Sequence, residues 1–340
     1  MTQTSHIWRW LGVLAGLIIL IGSVIHILSK KTLPPIPTDH VVIATPAFLY
    51  AGPIFTALEK DFFRENGLDV TYQPHNLGVQ ALQSVLSDKA EIAIAADIPF
   101  MFAVMHGERI AIFATLYKSR RDLALMALTD RGIATPKDLA GKTIGTSFGT
   151  NLQFFLDTML LANDVPEEKI SVINIKPPEF SSALQSGKID AVVTFSPYTE
   201  EMQALFGKRA VTFFGEDLHT SRYNLIAKQD YLAKHPDTAR KILETLTISI
   251  QYIANNPVQT QEIISKYLHL NIHQIAIAEI MKAGEFKLAL DQSLLLTLDD
   301  ETRWAMKHNL VKTGPMPNYL DYLNLDPLLS LNPNAVEIIY

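Results

Sequence analysis

The stretch "DLAGKTIGTSFGTNLQFFL", Asp138 to Leu156, joins three glycines, a Gly-Lys-Thr and a helix-like run, a combination that can cradle phosphate. A nucleotide-binding P-loop needs a glycine where this chain has Pro136, so Lys142 is not a P-loop lysine. Gly-x-Gly-x-x-Gly is absent as well, because Gly145 and Gly149 enclose Thr-Ser-Phe. What remains is a β-prone run (Lys142–Thr146), a glycine-flanked turn, and a helix opening near Thr150-Asn151. A helix start presents unpaired N–H groups and a partial positive charge. Ser147, Gly149, Thr150 and Asn151 therefore suit a small polar or anionic ligand, although Ser, Thr and Asn at such a point also serve as plain caps.

Further candidates are scattered along the chain. Arg222, in "HTSRYN", could clamp a sulfonate, carboxylate or phosphate with two parallel hydrogen bonds, or stand as a surface charge. Ser119 follows the strand-like "IAIFATLY", and Phe195 and Tyr198 are rings that could wall a ligand or fill a core. His269 and His273 share a helix face but have no third partner, so no metal site is expected. Asp299–Glu301, in "LDDETRW", reads as acidic residues complementing a helix start. No Ser–His–Asp order and no His-Glu-x-x-His stands out. The expectation is a binding protein with no catalytic residue and no cofactor.

Composition narrows the classes. The chain has 340 residues, 48% of them hydrophobic, which suffices for one large or two medium domains with a sizeable core. A net charge of −6 argues against a nucleic-acid partner, since phosphate contacts need clustered Lys and Arg. Cysteine is absent, which excludes disulfides, Cys-ligated zinc, iron–sulfur clusters, thiol nucleophiles and a lipid-modified N-terminal cysteine.

The N-terminal region carries "LGVLAGLIILIGSVIHIL", Leu11 to Leu28, without formal charge and about long enough to span a bilayer. It is poor in the small-residue cleavage sites of a secretory signal. Residues 1–29 are thus expected to be an uncleaved membrane anchor, with a cleaved signal peptide as the alternative. Residues 30–39 form a linker in which Pro34, Pro35 and Pro37 favour an extended stalk. Lys30 and Lys31 after the span, against Arg9 before it, mildly oppose export of the body under the positive-inside rule.

Two segments echo one another: "ALQSVLSDKAEIAIAADIP" (Ala81–Pro99) and "ALQSGKIDAVVTFSP" (Ala183–Pro197). Each runs from a helix ending in Ser-x-Lys, through an acidic residue (Glu91, Asp190) and an apolar strand (Ile92–Ala96, Ala191–Phe195), to a proline. A strand, turn and helix precede each. The matching order predicts two similar α/β lobes, each a mostly parallel sheet flanked by helices. In such sheets ligands gather beyond the carboxyl ends of the strands. That places four loops at one cleft: Thr45–Phe48, Asp97–Pro99, Ser147–Asn151 and Thr194–Tyr198, with Thr45, Phe48, Asp97, Thr194 and Ser196 as added contacts.

The segments "PIFTALEKDFFRENGLDVTY", "SDKAEIAIAADIPF", "IATPKDLAGKTIGTSFGT" and "LQSGKIDAVVTFSPY" resemble the periplasmic substrate-binding proteins of the nitrate/sulfonate/taurine and thiamine-precursor importers. The resemblance covers nearly the whole body from His40 onwards. It implies the two-lobed type II periplasmic-binding-protein fold, with lobe one at 40–128 and 220–340 and lobe two at 129–219. The chain would cross between lobes near Ala127–Asp130 and Asp217–Asn224. It further implies capture of a small solute outside the cytoplasmic membrane and delivery to the permease and ATPase subunits of an ABC importer. One departure concerns the ligand: many relatives have Trp-Glu-Pro or Trp-Asp-Pro where this chain has Phe195-Ser196-Pro197. Two rival readings share the fold. One is a membrane-anchored sensor module. The other is a thiamine-pyrimidine biosynthetic enzyme, whose cysteine-rich iron motif this chain lacks.

Overall fold

A computed structural model describes residues 39–268 and 281–339. The expected anchor and most of the linker, like His269 and His273, lie outside the described residues. No helix among the described residues is long and apolar enough to cross a membrane.

Among the described residues, twelve strands form two sheets. In chain order they are β1 (Asp39–Pro46), β2 (Leu68–His75), β3 (Ile92–Ala96), β4 (Ile110–Ser119), β5 (Leu123–Leu128), β6 (Thr143–Thr146), β7 (Ser171–Asn174), β8 (Ala191–Phe195), β9 (Ala210–Phe214), β10 (Ser221–Lys228), β11 (Gly284–Asp291) and β12 (Val336–Glu337). The seven-stranded sheet has the order β12-β11-β4-β10-β3-β1-β2, and the five-stranded sheet β7-β6-β8-β5-β9. The internal echo is thus a repeated topology. In each sheet the second strand of the unit, the first and the third lie side by side and parallel: β2-β1-β3 and β7-β6-β8. The next strand, β10 or β5, is antiparallel. Both sheets are therefore mixed, with parallel pairing concentrated in the repeated units.

The echoed acidic residues have the same task in both sheets. Glu91 accepts the Val42 N–H at 2.6 Å and its own N–H donates to the Val42 carbonyl at 3.1 Å. Asp190 accepts the Thr143 N–H at 2.8 Å while its N–H donates to the Thr143 carbonyl at 2.8 Å. Each carboxylate thereby satisfies a backbone donor beside the start of the inner strand, where the ladder has not yet begun. The strands after them, "IAIAA" and "AVVTF", are buried along their full length, which explains why they are apolar without alternation.

The chain passes between sheets from Ser119 to Leu123 and returns from Phe214 to Ser221. The first passage precedes the expected one near Ala127–Asp130, because Leu123–Leu128 pairs with β8 and β9 in the five-stranded sheet. Five helices position or support the region at the carboxyl ends of the strands: α1 (Gly52–Glu59), α2 (Gly78–Leu86), α3 (Asp97–Met105), α4 (Asn151–Ala162) and α5 (Gln292–Lys307). Asp299–Glu301 stands in the middle of α5, not at a helix start as expected. The cap there is Asp291, whose side chain accepts the Leu294 N–H at 3.2 Å.

Candidate functional site

A cavity of about 490 Å³, its open mouth included, lies where the carboxyl ends of the strands in both repeated units meet. The seven-stranded side contributes Phe48 and Tyr50, ahead of α1, then Leu77, Gly78 and Val79 at the start of α2. Ala96 and Pro99 at the start of α3, and Tyr223 on β10, complete that side. The five-stranded side contributes Ser147, Thr150, Asn151 and Leu152 at the start of α4, and Phe195 at the end of β8. The glycine-flanked turn before α4 is one wall of this cavity. Three helix N-termini (α2, α3 and α4) border it, so backbone N–H donors and positive dipole ends are concentrated there.

Local sequence explains the α4 wall. Thr150 is the N-cap: its hydroxyl oxygen receives the Leu152 N–H at 3.2 Å and donates to the Ser147 carbonyl at 2.7 Å. Ser147 in turn donates to the Ile175 carbonyl at 2.8 Å, fastening the turn to the chain that leaves β7. Gly149 does not line the cavity. A side chain there would meet open space, and the need for glycine comes from a φ of +71°. Gly149→Ala is accordingly expected to lower stability by about 1 kcal/mol and leave affinity nearly unchanged. A denaturant melt and a titration on the same sample check both halves.

Aromatic rings close the space between the sheets. Phe48 meets Phe195 edge-on at 5.3 Å and Tyr198 at 6.3 Å. Tyr50 stacks on Tyr223 with ring centroids 3.7 Å apart and planes 12° apart. Beneath Tyr223 lies Asp122, on the first passage between sheets: the Tyr223 hydroxyl donates to Asp122 Oδ2 at 2.7 Å, and the Ser196 N–H donates to the Asp122 carbonyl at 3.1 Å. Burial pushes the Asp122 carboxyl up to about 7, against the pull of its Tyr223 hydrogen bond. Glu200, held by the Ser196 hydroxyl at 2.8 Å, is also raised by burial.

Of the residues expected at the site, Phe48, Ser147, Thr150, Asn151 and Phe195 border the cavity, and Tyr198 stands behind them against Phe48 and Phe195. Thr45 and Thr194 are fully buried in their strands and do not line it. Ser119 donates to the Ala283 carbonyl at 2.6 Å and receives the Arg121 N–H at 3.0 Å, fixing the first passage between sheets. Ser196 is occupied by Glu200. Asp97 is turned away from the cavity beside the fully buried Glu301 of α5. Burial, with the Asp97 charge adding to it, pushes the Glu301 carboxyl well above the usual range.

Arg222 also faces away. It donates to the Thr220 carbonyl, Thr297 Oγ1 and Ser293 Oγ at 3.2, 3.1 and 2.7 Å, in a separate polar pocket with Arg120 and His219. Alternation along β10 accounts for this: Arg222 and its neighbour Tyr223 must point to opposite faces, and the face towards the cavity belongs to the tyrosine. Tyr50 and Tyr223 were missed by sequence reasoning. The only signal available was their position beside Phe48 and Arg222. No cluster of three or more potential metal ligands occurs among the described residues.

Comparison with known proteins bears on this arrangement. A family model described as "NMT1/THI5 like" matches residues 49–260. The chain is similar to the putative binding protein YtlA of Bacillus subtilis, 25% identical over 332 residues, 93% of this chain and 96% of that protein. It is similar also to the taurine-binding periplasmic protein of Escherichia coli, 23% identical over 247 residues, 70% of this chain and 76% of that one. Among solved structures, the periplasmic aliphatic sulphonate binding protein SsuA from Escherichia coli matches with a TM-score of 0.72 over 81% of this chain and 94% of that chain, at 16% identity. The two mixed sheets with their flanking helices are the periplasmic-binding-protein fold.

Proposed function

The chain belongs to the NMT1/THI5-like family, and on that premise we propose that it is the extracytoplasmic solute-binding component of an ABC importer. It captures a small polar solute between two lobes, one built on each sheet, and presents it to permease and ATPase subunits. The two passages of chain between the sheets act as the hinge, and closure around the solute is the working motion. Sulfonate-, nitrate-, taurine- and pyrimidine-like solutes are the classes to try first. The body acts on the outer side of the cytoplasmic membrane, secreted or tethered by residues 11–28.

The observation that carries the reading is a cavity walled from both sheets at the carboxyl ends of their strands, where three helix N-termini supply donors. The reading involves binding alone, so incubation with any bound solute is expected to return it unchanged. A thermal-shift screen across those solute classes, followed by calorimetry, tests it: one-to-one binding is expected. Small-angle scattering should show compaction at saturation, and no compaction with a saturating solute would count heavily against a two-lobed clamp.

Thr150 offers a sharper local test. Thr150→Ala removes the α4 cap and should lower stability by about 1 kcal/mol. It should also weaken binding by about 1–2 kcal/mol if the turn contacts the solute. A stability loss with untouched affinity would reduce the turn to a cap and leave the solute to the opposite wall.

A further inference from the structure

Away from the cavity, the two sheets are also joined through their helices. α5 follows β11 and packs against α3 on the seven-stranded side, while α4 packs on β6 and β8 of the five-stranded sheet. The C-terminal half of α5 meets α4 at Trp304, a buried residue whose Nε1 donates to Asp157 Oδ2 at 2.7 Å. The rings of Trp304 and Phe154 meet edge-on at 5.4 Å. Just beyond, Lys307 pairs with Glu167 at 3.2 Å, and His308 Nε2 lies 3.8 Å from Asp157 and 3.7 Å from Glu167. Glu167 belongs to the turn ahead of β7. None of these residues lines the solute cavity.

The contact is built to separate. A crevice of about 1430 Å³, its open mouth included, runs beside it between Leu161 and Glu168 on one side and Asp300 and Arg303 on the other. The helices therefore meet through a few largely polar side chains, without a sealed apolar core between them. Interfaces of that kind within a chain permit relative motion. α4 also links this contact to the solute site. Its first turn walls the cavity with Asn151 and Leu152, and Asp157 lies about 9 Å further along the same helix. A helix moves as a rigid element, so one end does not shift alone. In this structure the cavity walls touch, Phe48 against Phe195, and the α5–α4 contact is made at the same time. Contacts made in one arrangement and lost in another stabilise the first.

Resting on the clamp reading, we propose that α5 is a latch: Trp304 and Asp157 join the lobes when the cavity is closed and part when it opens. They are positioning residues, because they act on the solute only through α4. Part of the solute affinity is thereby set outside the cavity, since a latch that raises the closed fraction raises apparent affinity by the same factor.

The absence of cysteine makes the test direct. Asn76→Cys and Lys176→Cys place two spin labels on the full-length chain at exposed positions beyond the carboxyl ends of β2 and β7, outside the cavity lining. Double electron–electron resonance reads the distance between them, and calorimetry with taurine, ethanesulfonate and nitrate reads affinity in parallel. A short-distance population is expected in the labelled parent, growing when one of these solutes binds. Trp304→Phe keeps an aromatic ring and removes the N–H. It should lower the ratio of short to long distances about fivefold and weaken binding by a similar factor. Asp157→Ala should act likewise, and the double variant should be no worse than the stronger single, because either change removes the same bond. Lys307→Gln, an exposed change, should shift the ratio about twofold in the same direction, and it carries the test if Trp304→Phe fails to fold.

A purely structural role would lower the melting temperature and leave distances and affinity unmoved, which overturns the latch while the clamp stands. Tighter binding or a shorter distance in the variants overturns it too. If none of the three solutes binds, the distance ratio of the unliganded chain decides. No short population in the parent under any of these conditions counts against the latch. A solute that binds the parent without changing the distance overturns the clamp reading itself, and the latch with it.

Discussion

Phe195→Ala is expected to destabilise the protein by about 3 kcal/mol and to weaken solute binding at least about tenfold. Phe195 ends β8, is almost fully buried, and touches Phe48 at 5.3 Å and Tyr198 at 5.2 Å while bordering the cavity. Removing its ring deletes one of the ring contacts between the two sheets across the cavity and leaves a void. Large-to-small aromatic changes in cores cost about 3–5 kcal/mol. The lower end applies because this void opens into an existing cavity that water can enter. Phe195→Leu should recover much of the stability, through restored volume, without restoring the edge-on ring contacts. Denaturant melts of both variants, with calorimetry on a bound solute, separate the two effects. Full affinity in Phe195→Ala would mean that the ring is core and that the solute sits elsewhere.

Gly215→Ala should be nearly as damaging, for a reason that only packing reveals. Gly215 follows β9 on the return passage between sheets, and its carbonyl accepts the N–H groups of Leu218 and His219 at 2.9 and 3.0 Å. A methyl group there would lie 2.3 Å from Cε2 and 2.8 Å from Cζ of Phe155. Phe155 is buried on α4, so its ring has little room to retreat. Overpacking of this kind costs about 1–3 kcal/mol, or a melting temperature lowered by roughly 1–2 °C per kcal/mol at this size. The displacement should travel along α4 to its N-terminus at the cavity wall, so affinity should fall together with stability. An unchanged melt would show that α4 can shift freely, and with it the wall it forms. Gly149→Ala is the contrast: both positions hold glycine, yet one requires it for backbone conformation and the other for space.

The regular features of this protein were legible because they obey local rules. The buried strands "IAIAA" and "AVVTF" read directly from unbroken apolar runs, and the α4 start at Thr150-Asn151 read from a capping residue after a glycine turn. The echo of Ala81–Pro99 in Ala183–Pro197 is the same strand order built twice, down to Glu91 and Asp190 holding equivalent backbone donors. The four loops came from the rule that parallel strands deliver ligands to their carboxyl ends, and each of them sends a residue to the cavity or its neighbour Tyr198.

Facing direction was not legible. Arg222 and Tyr223 are adjacent, and nothing local says which one looks towards the cavity. That was settled by Ser293 and Thr297 of α5, which occupy Arg222 on the other face. Asp97 comes after a strand as a ligand-binding acid would, but α5 packs Glu301 against it and draws it inward. Asp299–Glu301 carried the composition of a helix start and lies within a helix whose cap is Asp291, well before Asp299. The first passage between sheets moved to Ser119–Leu123 because β5 finds its partners in strands far along the chain. The sequence alone therefore determined the elements, their repetition and the end of the sheets at which the cavity opens, since those depend on periodicity, capping and chain direction. Which side chains enter the cavity, and the place of Asp122 beneath it, were decided by tertiary structure, because orientation depends on partners that meet only after the chain has crossed twice between sheets.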